Sequence, residues 1–293
     1  GPPEPDYGAG GHSAARGRGE GLPCFREARF TGEFPVARVE LSDRKMPLDV
    51  TLEAWSPFIP LDPDDSSIPC AVLTYTLRNT ARKPVKATVF GSLTNIIGEG
   101  DEAKGRRNLR RKAKGLTALE LTNGRMKKGA GLYGSMVLAT TAPKAGVLTN
   151  APRPEALWVQ TTEQLWTCMR DSKKWPPAKP ANPCDTGVLG VPLTIGAGKS
   201  KSVTFVIAWH FPNCLHWSCY GGEDGSCRQV TWKNWYASQW PDAFGVARYV
   251  TRNMKRLESG TRLFRDTLFA STLPASVLDA VSSQISILHT PTC

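Results

Sequence analysis

The chain has 293 residues, of which 40% are hydrophobic, enough to bury the core of one large domain or two ordinary ones. Its net charge of +11 admits an anionic partner. No apolar run approaches the roughly 18 residues of a membrane-spanning helix, and residues 1–22 lack the apolar block of a secretory signal.

Residues 1–28 are rich in Gly, Pro, Arg and Ala and are predicted to be disordered. From Phe34 to Trp209 short segments are separated by turn residues, predicting an antiparallel β-sandwich over 29–240. The first strands are Phe34–Leu41 and Leu48–Trp55. In the second, Leu48, Val50 and Leu52 alternate with Asp49, Thr51 and Glu53, the period of a half-buried strand. Cys70–Arg78 and Val85–Leu93 alternate likewise. The polar stretch from Asn79 to Pro84 between them predicts a hairpin. Leu116–Leu121, Leu132–Thr141, Leu157–Thr162 and Ser202–Trp209 complete the predicted strands.

After Pro241 the period becomes helical. Phe244, Ala247, Val250, Met254 and Leu257 fall on one stripe, extended by Phe264 and Leu268, with Asp242 as the expected cap. Leu273-Pro274 should close this helix. A second apolar face follows at Val277, Leu278, Val281, Ile285 and Leu288. The expected architecture is thus mainly β, a sandwich followed by a helical linker over 241–293. The linker's second apolar stripe is expected to lack cover within these residues.

Eight cysteines are scattered along the chain without an export signal, so free thiols in a reducing cytoplasm are the default expectation. His210, Cys214, His216, Cys219 and Cys227 lie close in sequence, but no C-x2-C pair is present. Free, partly buried thiols on a long loop are the preferred reading. Trp232, Trp235 and Trp240 stand just before the helices and are expected to seal them against the sandwich.

Three segments carry a resemblance: LEAWSPFIPLDPDDSSIP from Leu52 to Pro69, AWHFPN from Ala208 to Asn213, and the stretch from Trp235 to Cys293 containing TRLFRDTLFASTLPASVLDAVSSQISILHTPTC. In order and spacing, from Phe30 to the end, they resemble the amino-terminal domain and connecting helices of glycoside hydrolase family 116. Two departures stand out. Residues 1–28 do not resemble the family's glycine-rich opening, and Cys214 stands where the family usually has Arg.

The resemblance implies a β-sandwich packed on an (α/α)6 barrel that carries a Glu nucleophile and an Asp acid/base and hydrolyses β-glucosides with retention. Both carboxylates are expected beyond Cys293, so this chain is expected to hold no catalytic residue, metal or cofactor. It reads as the non-catalytic amino-terminal part of a β-glucosidase or glucosylceramidase. The alternative is a free-standing carbohydrate- or protein-binding sandwich without activity.

The substrate-cleft candidates are Asp64, Asp65 and His210. The acidic loop containing the first two equally fits local turn chemistry, in which Asp and Ser side chains satisfy nearby backbone donors. The expected partners are the barrel and, through it, a β-glucoside. The basic run Lys104–Lys128 reads as a solvated loop that could meet an anionic membrane surface, giving a cytoplasmic, membrane-associated protein. Nucleic acid is not an expected partner, because no aromatic residue lies between Phe90 and Tyr133 to stack on bases.

Overall fold

A computed structural model describes residues 24–151, 159–171, 175, 186–215, 220–221, 227–228 and 231–289. The strands are β1 (Glu27–Glu33), β2 (Val36–Ser42), β3 (Leu48–Trp55), β4 (Cys70–Asn79), β5 (Val85–Thr94), β6 (Arg106–Ala113), β7 (Leu116–Asn123), β8 (Ser135–Thr140), β9 (Gly146–Ala151), β10 (Thr186–Ile195) and β11 (Ser200–His210). The helices are α1 (Pro63–Ser66), α2 (Val159–Arg170), α3 (Ala243–Phe269) and α4 (Ala275–Ile285).

Two antiparallel sheets form the sandwich. The larger has the order β1-β2-β3-β4-β11-β8-β7-β6, and the smaller β5-β10-β9. Side-chain alternation divides the larger sheet's residues between two cores. Leu119, Leu121, Leu138, Val203 and Phe205 face the smaller sheet's Val147, Leu189 and Val191. Val72, Ala118, Val137, Ala139 and Val206 face the other way and are covered by Phe244, Val246, Ala247, Val250 and Leu257 of α3. Each fully buried Val, Leu or Phe side chain among these is worth roughly 1.5–3 kcal/mol. The helix therefore forms a third layer that shares a core with the strands.

The predicted mainly β architecture is present, and Leu48–Trp55 is a strand over its predicted span. The predicted β4–β5 hairpin is not. β4 is hydrogen-bonded along both edges, to β3 and to β11, so β5 has no edge to join and crosses to the smaller sheet, where it pairs with β10. Val159–Thr162 belongs to α2 rather than to a strand, and Leu157 and Trp158 lie outside the described residues. The basic run is not a loop. Arg106–Ala113 is the edge strand β6, paired with β7. Residues 27 and 28, assigned to the opening disordered segment, pair with Ser42 and Leu41 in β1; residues 1–23 lie outside the described set.

Asp242 caps α3 as expected, accepting from the Gly245 amide at 2.7 Å. The helix ends at Phe269, before Leu273-Pro274. On α4, Leu278 is buried while Val277 and Val281 are exposed, as are Ile287 and Leu288 beyond it, so the second stripe is only partly covered. No helix among the described residues is long and apolar enough to cross a membrane.

Candidate functional site

The segment joining β3 to β4 carries the signature Ser-Pro-Phe-Ile-Pro-Leu-Asp-Pro-Asp-Asp. Its residues diverge sharply in role. Asp62 caps the single turn α1, accepting from the Asp65 amide at 3.0 Å, and Pro63 occupies a position where no amide is needed. Ser66 Oγ accepts from the Ile59 amide at 2.9 Å and donates to the Ile59 carbonyl at 2.8 Å, closing the loop on itself. This much is local turn chemistry.

The turn aims Asp65 inward, where it is only 4% exposed. Its carboxylate accepts from Tyr249 Oη and from Arg256 Nη2, both at 3.0 Å, and Arg256 Nη1 bonds its other oxygen. The bidentate guanidinium holds the Asp65 carboxyl below the usual carboxylate range, against the opposing effect of burial. Further along α3, Thr261 Oγ1 accepts from the Phe58 amide at 3.2 Å, and the Phe264 ring meets Phe58 edge-on at 4.8 Å. Gly260 leaves room for Ile59: a Cβ there would stand 2.8 Å from Ile59 Cδ1. Positions 249, 256, 260 and 261 recur at helical spacing, so one face of α3 grips the whole loop.

Asp64 points outward and accepts from Trp235 Nε1 and Gln239 Nε2, each at 2.9 Å. His210, at the end of β11, lies 5.6 Å edge-on from Tyr236, between those two residues in sequence. Asp64 and His210 thus address the same 235–239 turn, whereas Asp65 is drawn away to α3. His210 is 5% exposed, and its Nε2 has no hydrogen-bond partner among the described residues. Burial lowers its pKa, with Lys233 acting in the same direction and Asp242 opposing.

Beside this turn runs an open groove of about 1000 Å³, walled by Phe34, Phe58, Ile59, Trp209, Phe211 and Tyr236. Its polar groups are largely engaged. Tyr236 Oη and Asn234 Nδ2 both donate to the Phe211 carbonyl at 2.7 Å, and Ser56 Oγ donates to the Cys70 carbonyl at 2.9 Å. At the rim, Leu61 is fully exposed in a left-handed conformation (φ 66°), which costs an L-residue about 1–2 kcal/mol.

The expected tryptophan seal is partial. Trp240 is buried against Tyr249, but Trp232 and Trp235 are exposed. Of the His/Cys cluster, Cys214 lies in a short ladder, Asn213–Leu215 with Thr231–Lys233, while His216 and Cys219 and the side chain of Cys227 lie outside the described residues. Cys70, Cys168 and Cys214 are free thiols.

Sequence reasoning missed Glu120. It sits 3% exposed on β7, accepts from Arg111 Nη1 at 2.9 Å, and is pushed up in pKa by burial, with Arg111 opposing. The Arg111 guanidinium also lies 4.6 Å from the centre of the Phe244 ring, tying the edge hairpin to the start of α3. The signal was present. Glu120 shares strand parity with Leu116 and Ala118, so a charge stands on a core-facing row.

A search of curated proteins finds no match. Among solved structures, a chain described as a kojibiose phosphorylase from human microbiome is 10% identical with a TM-score of 0.39; the match covers 83% of this chain and 25% of that one. A galactose mutarotase related enzyme from Lactobacillus acidophilus is 8% identical with a TM-score of 0.30, covering 63% of this chain and 71% of that one. The chain thus spans a quarter of the length of the first of these. The family described as beta-glucosidase 2, glycosyl-hydrolase family 116 N-term, matches residues 10–257. That match starts within residues 1–28, which are expected to lie outside the resemblance, and it stops within α3. The chain belongs to the glycosyl-hydrolase family 116 amino-terminal domain family.

Proposed function

We propose that this chain is the non-catalytic amino-terminal part of a retaining β-glucosidase acting on β-glucosides, glycolipids among them. Its nucleophile and proton donor would be carried by an (α/α)6 domain outside these residues. The observation that carries the reading is the fate of the signature loop. The one carboxylate it buries, Asp65, is paired with Arg256 and accepts from Tyr249 of α3, and Asp62 is engaged in a cap. A retaining glycosidase needs two carboxyl groups roughly 5 Å apart across one bond, one of them free to attack. In the proposed role the loop instead fixes α3 on the sandwich and shapes the groove beside it.

The test is an assay of the purified chain with a fluorogenic β-glucoside and with glucosylceramide. The expected result is no glucose above the blank, with the same assay active on a chain extended through an (α/α)6 domain. Turnover by the 293 residues alone would refute the scaffold role. Saturable sugar binding without turnover would favour a carbohydrate-binding sandwich instead.

A further inference from the structure

β6 is the last strand of the larger sheet, so one of its edges pairs with no strand among the described residues. Strand alternation sends Arg110 and Lys112 to one side of the sheet and Arg107 and Arg111 to the other. Lys114 follows at the hairpin turn, and Arg125, Lys127 and Lys128 follow β7 at the opposite end. Of these, Arg111 is committed to Glu120, and nearby Lys104 to Asp101 at 2.6 Å. The remaining seven are exposed and form no ion pair with a carboxylate among the described residues. The cations therefore run along a strand of eight residues, about 26 Å, and around both its ends.

Charges on an edge strand guard it against pairing with another sheet. That accounts for Arg110 and Lys112 but not for Arg125, Lys127 and Lys128, which lie off the edge. At that end two apolar side chains are also exposed, Ile96 (56%) and Leu132 (41%). The two loops are joined there: Asn123 Nδ2 donates to the carbonyls of Ile97 and Glu102, both at 2.8 Å, and Glu102, Met126 and Leu132 line a common hollow. Glu99, Asp101 and Glu102 are the acidic groups of this end, all exposed, and Asp101 is paired with Lys104. Cations interleaved with exposed aliphatic tips suit an interface that is anionic outside and apolar just beneath.

We infer that the β6 edge, with the 124–132 turn, is a docking surface for an anionic phospholipid bilayer. Duplex nucleic acid fits it less well, because this region offers no α-helix for the major groove and no aromatic ring for stacking. The inference does not depend on the glycosidase reading.

The test is co-flotation of the purified chain with phosphatidylcholine vesicles, with and without phosphatidylserine, at low and high salt. Binding is expected only with phosphatidylserine and should be lost at high salt. Joint reversal of Arg110→Glu, Lys112→Glu, Lys127→Glu and Lys128→Glu should weaken it at least roughly tenfold. A matched reversal at Arg82, Lys83, Lys86 and Lys201 should leave it little changed. If the reversed protein loses its thermal transition, the four Gln substitutions at the same docking positions read the same effect. Absence of phosphatidylserine-dependent binding, equal loss from both sets, or tighter binding to duplex DNA than to the vesicles would overturn the inference.

Discussion

Asp65 and Arg256 lie 191 residues apart in sequence and face each other through a two-oxygen, two-nitrogen contact at the junction of sandwich and helix. The Asp65 side chain is 5% exposed and that of Arg256 52%. Removing one partner of a buried pair costs about 3–5 kcal/mol, whereas a fully exposed pair is worth under about 1. With one partner in water, Asp65→Asn should cost about 1–3 kcal/mol. A double-mutant cycle with Arg256→Met, read by urea unfolding, should return a coupling of similar size. Additive effects would mean that the pair does not hold α3. Because the folded pKa of Asp65 is lowered, its contribution is present above its unfolded value and is lost as pH falls through the folded one.

Two glycines predict opposite outcomes for the same substitution. At Gly134 a Cβ would come within 2.3 Å of the His210 carbonyl oxygen and 2.6 Å of the Phe211 ring. Backbone must move, so Gly134→Ala should destabilise by about 1–3 kcal/mol or more. At Gly260 the obstacle is the tip of Ile59, which can rotate away, and alanine favours a helix over glycine by about 0.5–1 kcal/mol. Gly260→Ala should be close to neutral. Thermal unfolding of both variants checks the pair, and equal losses would contradict these contacts.

His210 should make stability fall on mild acidification. Burial depresses its folded pKa, so the native state resists a proton that the unfolded chain takes up near the ordinary histidine value of 6.5. Stability is therefore full above that value and declines as pH falls below it towards the folded pKa. The groups that face it are Tyr236, Lys233 and Asp242. In His210→Phe, the difference in urea midpoint between pH 7.5 and pH 5.5 should shrink. An unchanged difference would place the acid sensitivity elsewhere.

What could be read in advance depended on how local its cause was. β3 and the Asp242 cap were legible because alternation and capping act over a few residues. β6 was not, because an edge strand that exposes cations on both faces loses its hydrophobic alternation and looks like a loop. The β4–β5 hairpin failed for a non-local reason: β11, more than a hundred residues on, takes the edge that β5 would have used. The same limit applied at the site. The acidic loop was visible as turn chemistry, but nothing near it in sequence announced that Tyr249 and Arg256 would claim Asp65 and leave Asp64 to Trp235 and Gln239. Regular spacing along α3 showed its apolar stripe. The polar grip on the loop falls on a row occupied by Tyr, Arg, Gly and Thr, which no hydrophobic count selects.

In the proposed role the reacting carboxylates lie outside these residues. A retaining glycosidase passes through a covalent glycosyl-enzyme, so a mechanism-based β-glucoside inactivator that traps that intermediate reports the nucleophile directly. The intact mass of the purified chain, measured after incubation with such a reagent, should be unchanged. A stoichiometric glucosyl adduct, localised to any carboxylate between residues 1 and 293, would place the nucleophile in this chain and overturn the scaffold role.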